Sequence, residues 1–244
     1  MDNSKVLLEV AVFTVEAAIA AIKAGADRIE FCENPNEGGT TPSHGSLQFL
    51  IQHCSIPIFP IIRPRGGDFL YSDNEFECIK NDLLYIKALG YPGAVIGLLK
   101  ADGSIDKERL KILVDLAAPM QITFHRAFDR CMDPINRLED LIQAGCSRVL
   151  TSGQVPNVMD ALPLIKKLVS IAGDRIIILP GSGVRANNCK QIITATGAKE
   201  IHSSARKSIP SLMTYNCTTM NENLISMGVD ELEIKHMLTE LSSS

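Results

Sequence analysis

Eight short apolar runs alternate with helix-patterned segments along the chain, and this alternation limits its fold more than any other feature. The runs occupy 6–13, 28–32, 57–63, 93–99, 121–125, 148–152, 176–180 and 200–203. Helical periods fill the intervals at 14–23, behind a Thr cap, and at 46–53, 72–89, 106–116, 134–143, 158–171 and 185–194, with 230–241 closing the series. Gly25, Gly90, Gly145 and Gly197 stand where helices hand over to the next strand, a position that favours left-handed backbone. Strict alternation predicts parallel strands joined by right-handed crossovers. Eight such units in 244 residues predict one α/β domain spanning 1–244, a (β/α)8 TIM barrel. An open doubly wound sheet is the alternative, but Val10-Ala11-Val12-Phe13-Thr14 after the first run holds no glycine for a dinucleotide turn. One stretch, about 204–229, has no clear period, and we read it as a cover over the barrel mouth.

Composition excludes several function classes. A net charge of -4, with basic residues scattered among acids, gives no footprint for nucleic acid. No apolar run approaches the roughly 18 residues of a membrane span, and the first residues lack the pattern of a signal peptide. Seven cysteines, spread singly and without a CxxC pair, predict reduced thiols in the cytoplasm rather than a disulfide scaffold or zinc ribbon.

Strand parity then selects side chains. Where Ile122 and Phe124 face the helices, Thr123 and His125 face inward; the same logic turns Glu30 and Cys32, Arg63 with Ile61, and His202 toward the axis, with Glu9 deeper beside Leu7 and Ala11. Barrel interiors are normally filled by branched aliphatics, and charges buried unpaired would cost several kcal/mol each. Glu9, Glu30, Arg63, His125 and His202 therefore form either a structural ion-pair cluster or a candidate catalytic site at the carboxyl ends of the strands. A histidine beside carboxylates is suited to proton transfer.

The loops after the strands add candidate anion ligands. Arg63-Pro64-Arg65-Gly66-Gly67-Asp68 offers two guanidiniums on a flexible turn, or a turn self-paired through Asp68. Gly181, Ser182 and Gly183 after the seventh run, with Ser204 and Arg206 after the eighth, occupy the place where TIM barrels commonly bind phosphate. Among the thiols only Cys32 faces inward near the mouth, which makes it the candidate metal ligand.

Several segments together resemble the CutC family: Glu30-Phe31-Cys32, Glu37-Gly38-Gly39-Thr40-Thr41-Pro42-Ser43, Ile62-Arg63-Pro64-Arg65-Gly66-Gly67-Asp68-Phe69, Thr123-Phe124-His125-Arg126-Ala127-Phe128-Asp129, Val149-Leu150-Thr151-Ser152-Gly153, Pro180-Gly181-Ser182-Gly183 and His202-Ser203-Ser204-Ala205-Arg206. The resemblance runs in order up to about Arg206 and implies a cytoplasmic TIM barrel with a role in copper homeostasis and Cu(I) as ligand. It implies two cysteine ligands at the ends of the first two strands; here the second is Cys32, while Ala11 stands at the first. Ser182 replaces the usual third glycine of the seventh-strand turn. The expected partner is a small-molecule anion or a metal ion. A TIM-barrel enzyme acting on an anionic or phosphorylated metabolite is the alternative, with His125 or Glu30 as acid or base and Arg63, Arg65 or Arg206 on the anion. A non-catalytic scaffold or homo-oligomer, using the late segment as interface, is the third reading.

Overall fold

The computed structural model describes residues 5–242; residues 1–4, which belong to the stretch read above for a signal peptide, lie outside the described residues, as do 243–244. The elements follow one another as β1 (Leu7–Val12), α1 (Val15–Ala24), β2 (Arg28–Phe31), α2 (His44–His53), β3 (Ile58–Pro60), α3 (Asp73–Ala88), β4 (Gly93–Ile96), α4 (Lys107–Ala117) and β5 (Gln121–Phe124). The second half continues with α5 (Pro134–Ala144), β6 (Arg148–Thr151), α6 (Leu162–Ala172), β7 (Ile177–Pro180), α7 (Cys189–Thr196), β8 (Glu200–Ser203), β9 (Arg206–Ile209), β10 (Ser226–Val229) and α8 (Glu231–Ser242).

Local signals set the units. The Thr14 side chain accepts from the Ala17 amide at 3.1 Å to open α1, and Gly25, at φ 104°, closes it. Ser72 and Glu75 form a reciprocal capping box that starts α3. Where 185–194 predicts a helix, α7 starts only at Cys189, because the Asn188 side chain accepts from the Arg185 amide and donates to the Gly183 carbonyl, holding these residues in a turn.

Parallel ladders join β3-β2-β1-β8 and β4-β5-β6-β7. A parallel bridge between Ile61 and Val95 links β3 to β4, and β7 lies beside β8 at the other seam without a ladder. Eight parallel strands in sequential order with intervening helices make an α/β barrel, as the alternation predicts. Leu8, Val10, Ile29, Phe31, Ile122, Phe124 and Ile201 face outward into the main apolar core under the helices. In the interior Phe13, Cys32, Phe59, Ile61 and Val95 form a small apolar cluster, with Leu150 and Leu179 buried apart from it; much of the rest is ionic.

The segment expected to cover the mouth contributes Ser204 and Arg206 to the cavity lining. Its ends pair as the antiparallel hairpin β9–β10, whose base touches the barrel through Met227 against the interior cluster. Residues 210–225 between them are exposed, and Leu212 is 97 % accessible. Among the described residues no helix is long and apolar enough to cross a membrane.

Candidate functional site

Strand register assembles the charged interior. Glu9 on β1 lies level with Arg28 on β2 and with His202 on β8, so both neighbours flank it, while Ala11 lies level with Glu30. Arg28 pairs with both Glu9 and Glu200, and Arg148 reaches Glu200 at 3.2 Å and Gln121 at 3.0 Å. The guanidiniums of Arg28 and Arg148 lie 5.2 and 5.1 Å from the ring centre of Phe59. Two arginines thus balance Glu9 and Glu200 at the base of the barrel.

Above that base, His202 is held between two carboxylates. Its Nδ1 lies 2.8 Å from Glu9 Oε1 and its Nε2 lies 3.7 Å from Glu30 Oε2. Burial alone would raise the Glu9 carboxyl, but the charge of Arg28 and the hydrogen bond and charge of His202 hold it at about 2. Burial pushes Glu30 up to about 7, the charge of Glu9 adding to it and that of His202 opposing it. Burial disfavours the His202 imidazolium, yet the hydrogen bond it donates to Glu9 and the charges of Glu30 and Glu9 raise its pKa. Two carboxylates on one histidine are therefore driven apart, one fixed as an anion and one exchanging its proton near neutrality.

Glu30 and His202 open into a cavity of about 380 Å³ at the carboxyl ends of the strands. Arg63, 4 % exposed, lines it and spends its terminal nitrogens on the carbonyls of Glu37, Gly39 and Gly67; among the described residues it has no carboxylate partner, and the Tyr71 hydroxyl is its polar side-chain neighbour. The Arg63 guanidinium lies 4.9 Å from the Phe69 ring centre, and that ring lies 4.8 Å from His125. Burial, with the charge of Arg63, lowers His125 to about 3, so its imidazole is neutral. Its Nδ1 accepts from the Ala127 amide at 3.1 Å, which leaves the proton on Nε2, a buried donor without a partner. Gly97 permits this placement, since a Cβ there would overlap the His125 ring.

The candidates divide by position. Glu30, Arg63, His125, His202, Ser182, Gly183, Ser204 and Arg206 line the one cavity. Glu9 lies beneath it and orients His202; Gly181 stands behind it, its Cα facing Leu150 and His202. Arg65 does not reach it: Glu75 holds it at 2.5 Å and Asp68 at 3.0 Å, the self-paired turn. Cys32 is buried under Gly39 and outside the lining, and burial together with the charges of Glu30 and Glu9 raises its thiol pKa well above normal.

Sequence reasoning missed Arg28, Arg148 and Glu200, although each stands two residues before an inward-facing position, Glu30, Leu150 and His202. It also missed Arg126 and Arg185, which line the cavity from the turns after β5 and β7. Asp129 steadies Arg126 at 2.7 Å while accepting from Thr151, Ser152 and Gln154.

The model of the CutC family matches residues 6–207. The chain belongs to the CutC family. A family protein CutC of Salmonella newport (strain SL254) is 48% identical over 224 residues, covering 92% of this chain and 88% of that one. The crystal structure of a putative copper homeostasis protein CutC from Streptococcus agalactiae superposes with a TM-score of 0.78 at 32% identity, over 82% of this chain and 98% of that one. Phosphoribosyl anthranilate isomerase from Thermotoga maritima shares the fold alone, with a TM-score of 0.61 at 11% identity over 98% of this chain and all of that one. The family match ends at Lys207, so most of the β9–β10 hairpin and α8 lie beyond it.

Proposed function

We propose that this CutC family barrel is a cytoplasmic enzyme that binds a small anionic metabolite at its mouth and moves a proton on it through Glu30. The observation that carries this reading is the Glu9–His202–Glu30 arrangement at the cavity floor. Glu9 orients and charges His202, and Glu30 holds an exchangeable proton near pH 7 within reach of a ligand. Arg63 supplies positive charge that no carboxylate of the described protein neutralises, so an anion entering the cavity recovers part of the cost of burying it. A reducing compartment suits seven cysteines that are all free thiols. In a melting screen of carboxylated and phosphorylated metabolites, some are expected to raise the transition temperature by mass action, and Arg63→Ala is expected to reduce the response to acids. A screen in which no anion moves the transition overturns the reading.

The Cu(I) ligand implied by the family resemblance fits these donors poorly. Cu(I) calls for soft thiolates, whereas Cys32 is one buried, protonated thiol with Ala11 level with Glu30 on the neighbouring strand. Among the described residues no three His, Cys, Asp or Glu side chains group to hold a metal ion. Titration of the reduced protein with Cu(I) against a competing chelator is expected to give a Kd no tighter than about 1 μM, unchanged in Cys32→Ala. A tighter site that depends on Cys32 would restore the copper reading.

A further inference from the structure

We infer that the ligand of this site carries two anionic groups at opposite ends, a carboxylate held on the β3–β5 side of the mouth and a phosphate held on the β7–β8 side. The inference rests on the anion-binding reading above and goes further by naming the substrate class. Strands follow one another around the barrel in chain order, so the turns after β3 and β7 face each other across the mouth. Both turns line the same cavity, with Glu30 and His202 at its floor.

The two sides offer different chemistry. On the β3–β5 side Arg63 and His125 line the cavity, each 4 % exposed, and Arg63 brings a guanidinium that has no carboxylate partner among the described residues. Most of the Arg63 donors are spent on carbonyls, so this side offers one guanidinium charge beside a neutral imidazole, a set that suits the single charge of a carboxylate. On the β7–β8 side the amides of Gly183 and Ser204 and the Ser204 hydroxyl bond to no other group among the described residues. Arg185 and Arg206 line the cavity beside them, and neither has a carboxylate partner among the described residues. Arg206 instead lies 4.8 Å from the ring centre of Phe13. Several amide and hydroxyl donors with two guanidiniums suit a dianion with three equivalent oxygens. A ligand spanning both sides lays its middle carbons over Glu30, where a proton is to be moved.

Three six-carbon probes separate the ends: gluconate with the carboxylate alone, glucose 6-phosphate with the phosphate alone, and 6-phosphogluconate with both. Isothermal titration of the full chain is expected to show 6-phosphogluconate binding about tenfold or more tighter than either single-ended probe. Arg206→Gln is expected to weaken the two phosphate-bearing probes about tenfold and leave gluconate unchanged. Arg63→Gln is expected to weaken the two carboxylates and spare glucose 6-phosphate. His125→Phe, which fills the ring's space but lacks the Nε2 proton, gives the same pattern should Arg63→Gln fail to fold. If glucose 6-phosphate binds and the added carboxylate brings no gain, the two-ended inference is overturned while the anion site stands. If none of the three binds, both fall.

Discussion

Arg28→Ala is expected to destabilise the protein by about 3–5 kcal/mol, a large share of the roughly 5–15 kcal/mol that holds a domain together. Arg28 serves two buried carboxylates at once, Glu9 and Glu200, and its removal leaves Glu9 with His202 alone and Glu200 with Arg148 alone. Desolvated charge without its counter-charge is costly because the interior cannot rehydrate it. Arg28→Lys is expected to recover little, since one ammonium lacks the fork that reaches both acids. The exposed Arg175–Glu139 pair at 2.8 Å is the control, and Arg175→Ala is expected to cost less than about 1 kcal/mol. Urea unfolding midpoints at constant m-value measure both. An Arg28→Ala loss no greater than the Arg175→Ala loss would show that the interior network is not what holds the barrel base.

Glu30→Gln is expected to lower the turnover of any ligand found by melting about 10²- to 10⁴-fold with little change in its affinity, because the amide keeps the shape but cannot exchange the proton. Glu30 as base must be ionised, so wild-type rate rises with pH through about 7 and falls again where His202 loses its proton above its ordinary value. In Glu30→Gln the rising limb disappears. Stability moves the other way. A carboxyl whose folded pKa lies above its unfolded one costs the fold increasingly as pH rises from 4.5 to about 7, so Glu30→Gln is expected to be at least as stable as wild type above pH 7. A carboxylic acid C=O band that titrates near pH 7 in the wild type and is absent from Glu30→Gln would locate the proton independently of turnover. A band that persists in the variant would assign it to another acid.

The barrel was legible because its signals are local. Thr14, Ser72 and Gly25 mark helix ends through bonds to residues at most a few positions away, and Leu8, Val10, Ile29, Phe31, Ile122 and Phe124 mark the outward strand faces through a period of two. The same period turned Glu9, Glu30, His125 and His202 inward. Arg28, Arg148 and Glu200 carry an identical signal, but they begin their strands, where a charge also reads as the solvated edge of an element. Arg65 reads as an anion ligand because sequence distance puts it two residues from Arg63. Its partner Glu75 comes from the start of α3, which no local pattern connects to that turn.

By itself the sequence determined the eight barrel strands, their parallel order and the inward parity of the polar residues, since each depends on caps and periods within one segment; the β9–β10 hairpin, which has no such period, it did not. Only the tertiary structure decided which charges meet. Register between β8, β1 and β2, fixed by ladders that join Glu9 to residues 193 and 19 positions away in the chain, puts His202 and Arg28 on either side of Glu9. That register drives the two glutamates apart, Glu9 down to about 2 and Glu30 up to about 7, because desolvation and neighbouring charge act through space and not along the sequence. The fold also lays the backbone of Gly39 over the Cys32 sulfur, a contact between separate segments that no local pattern shows.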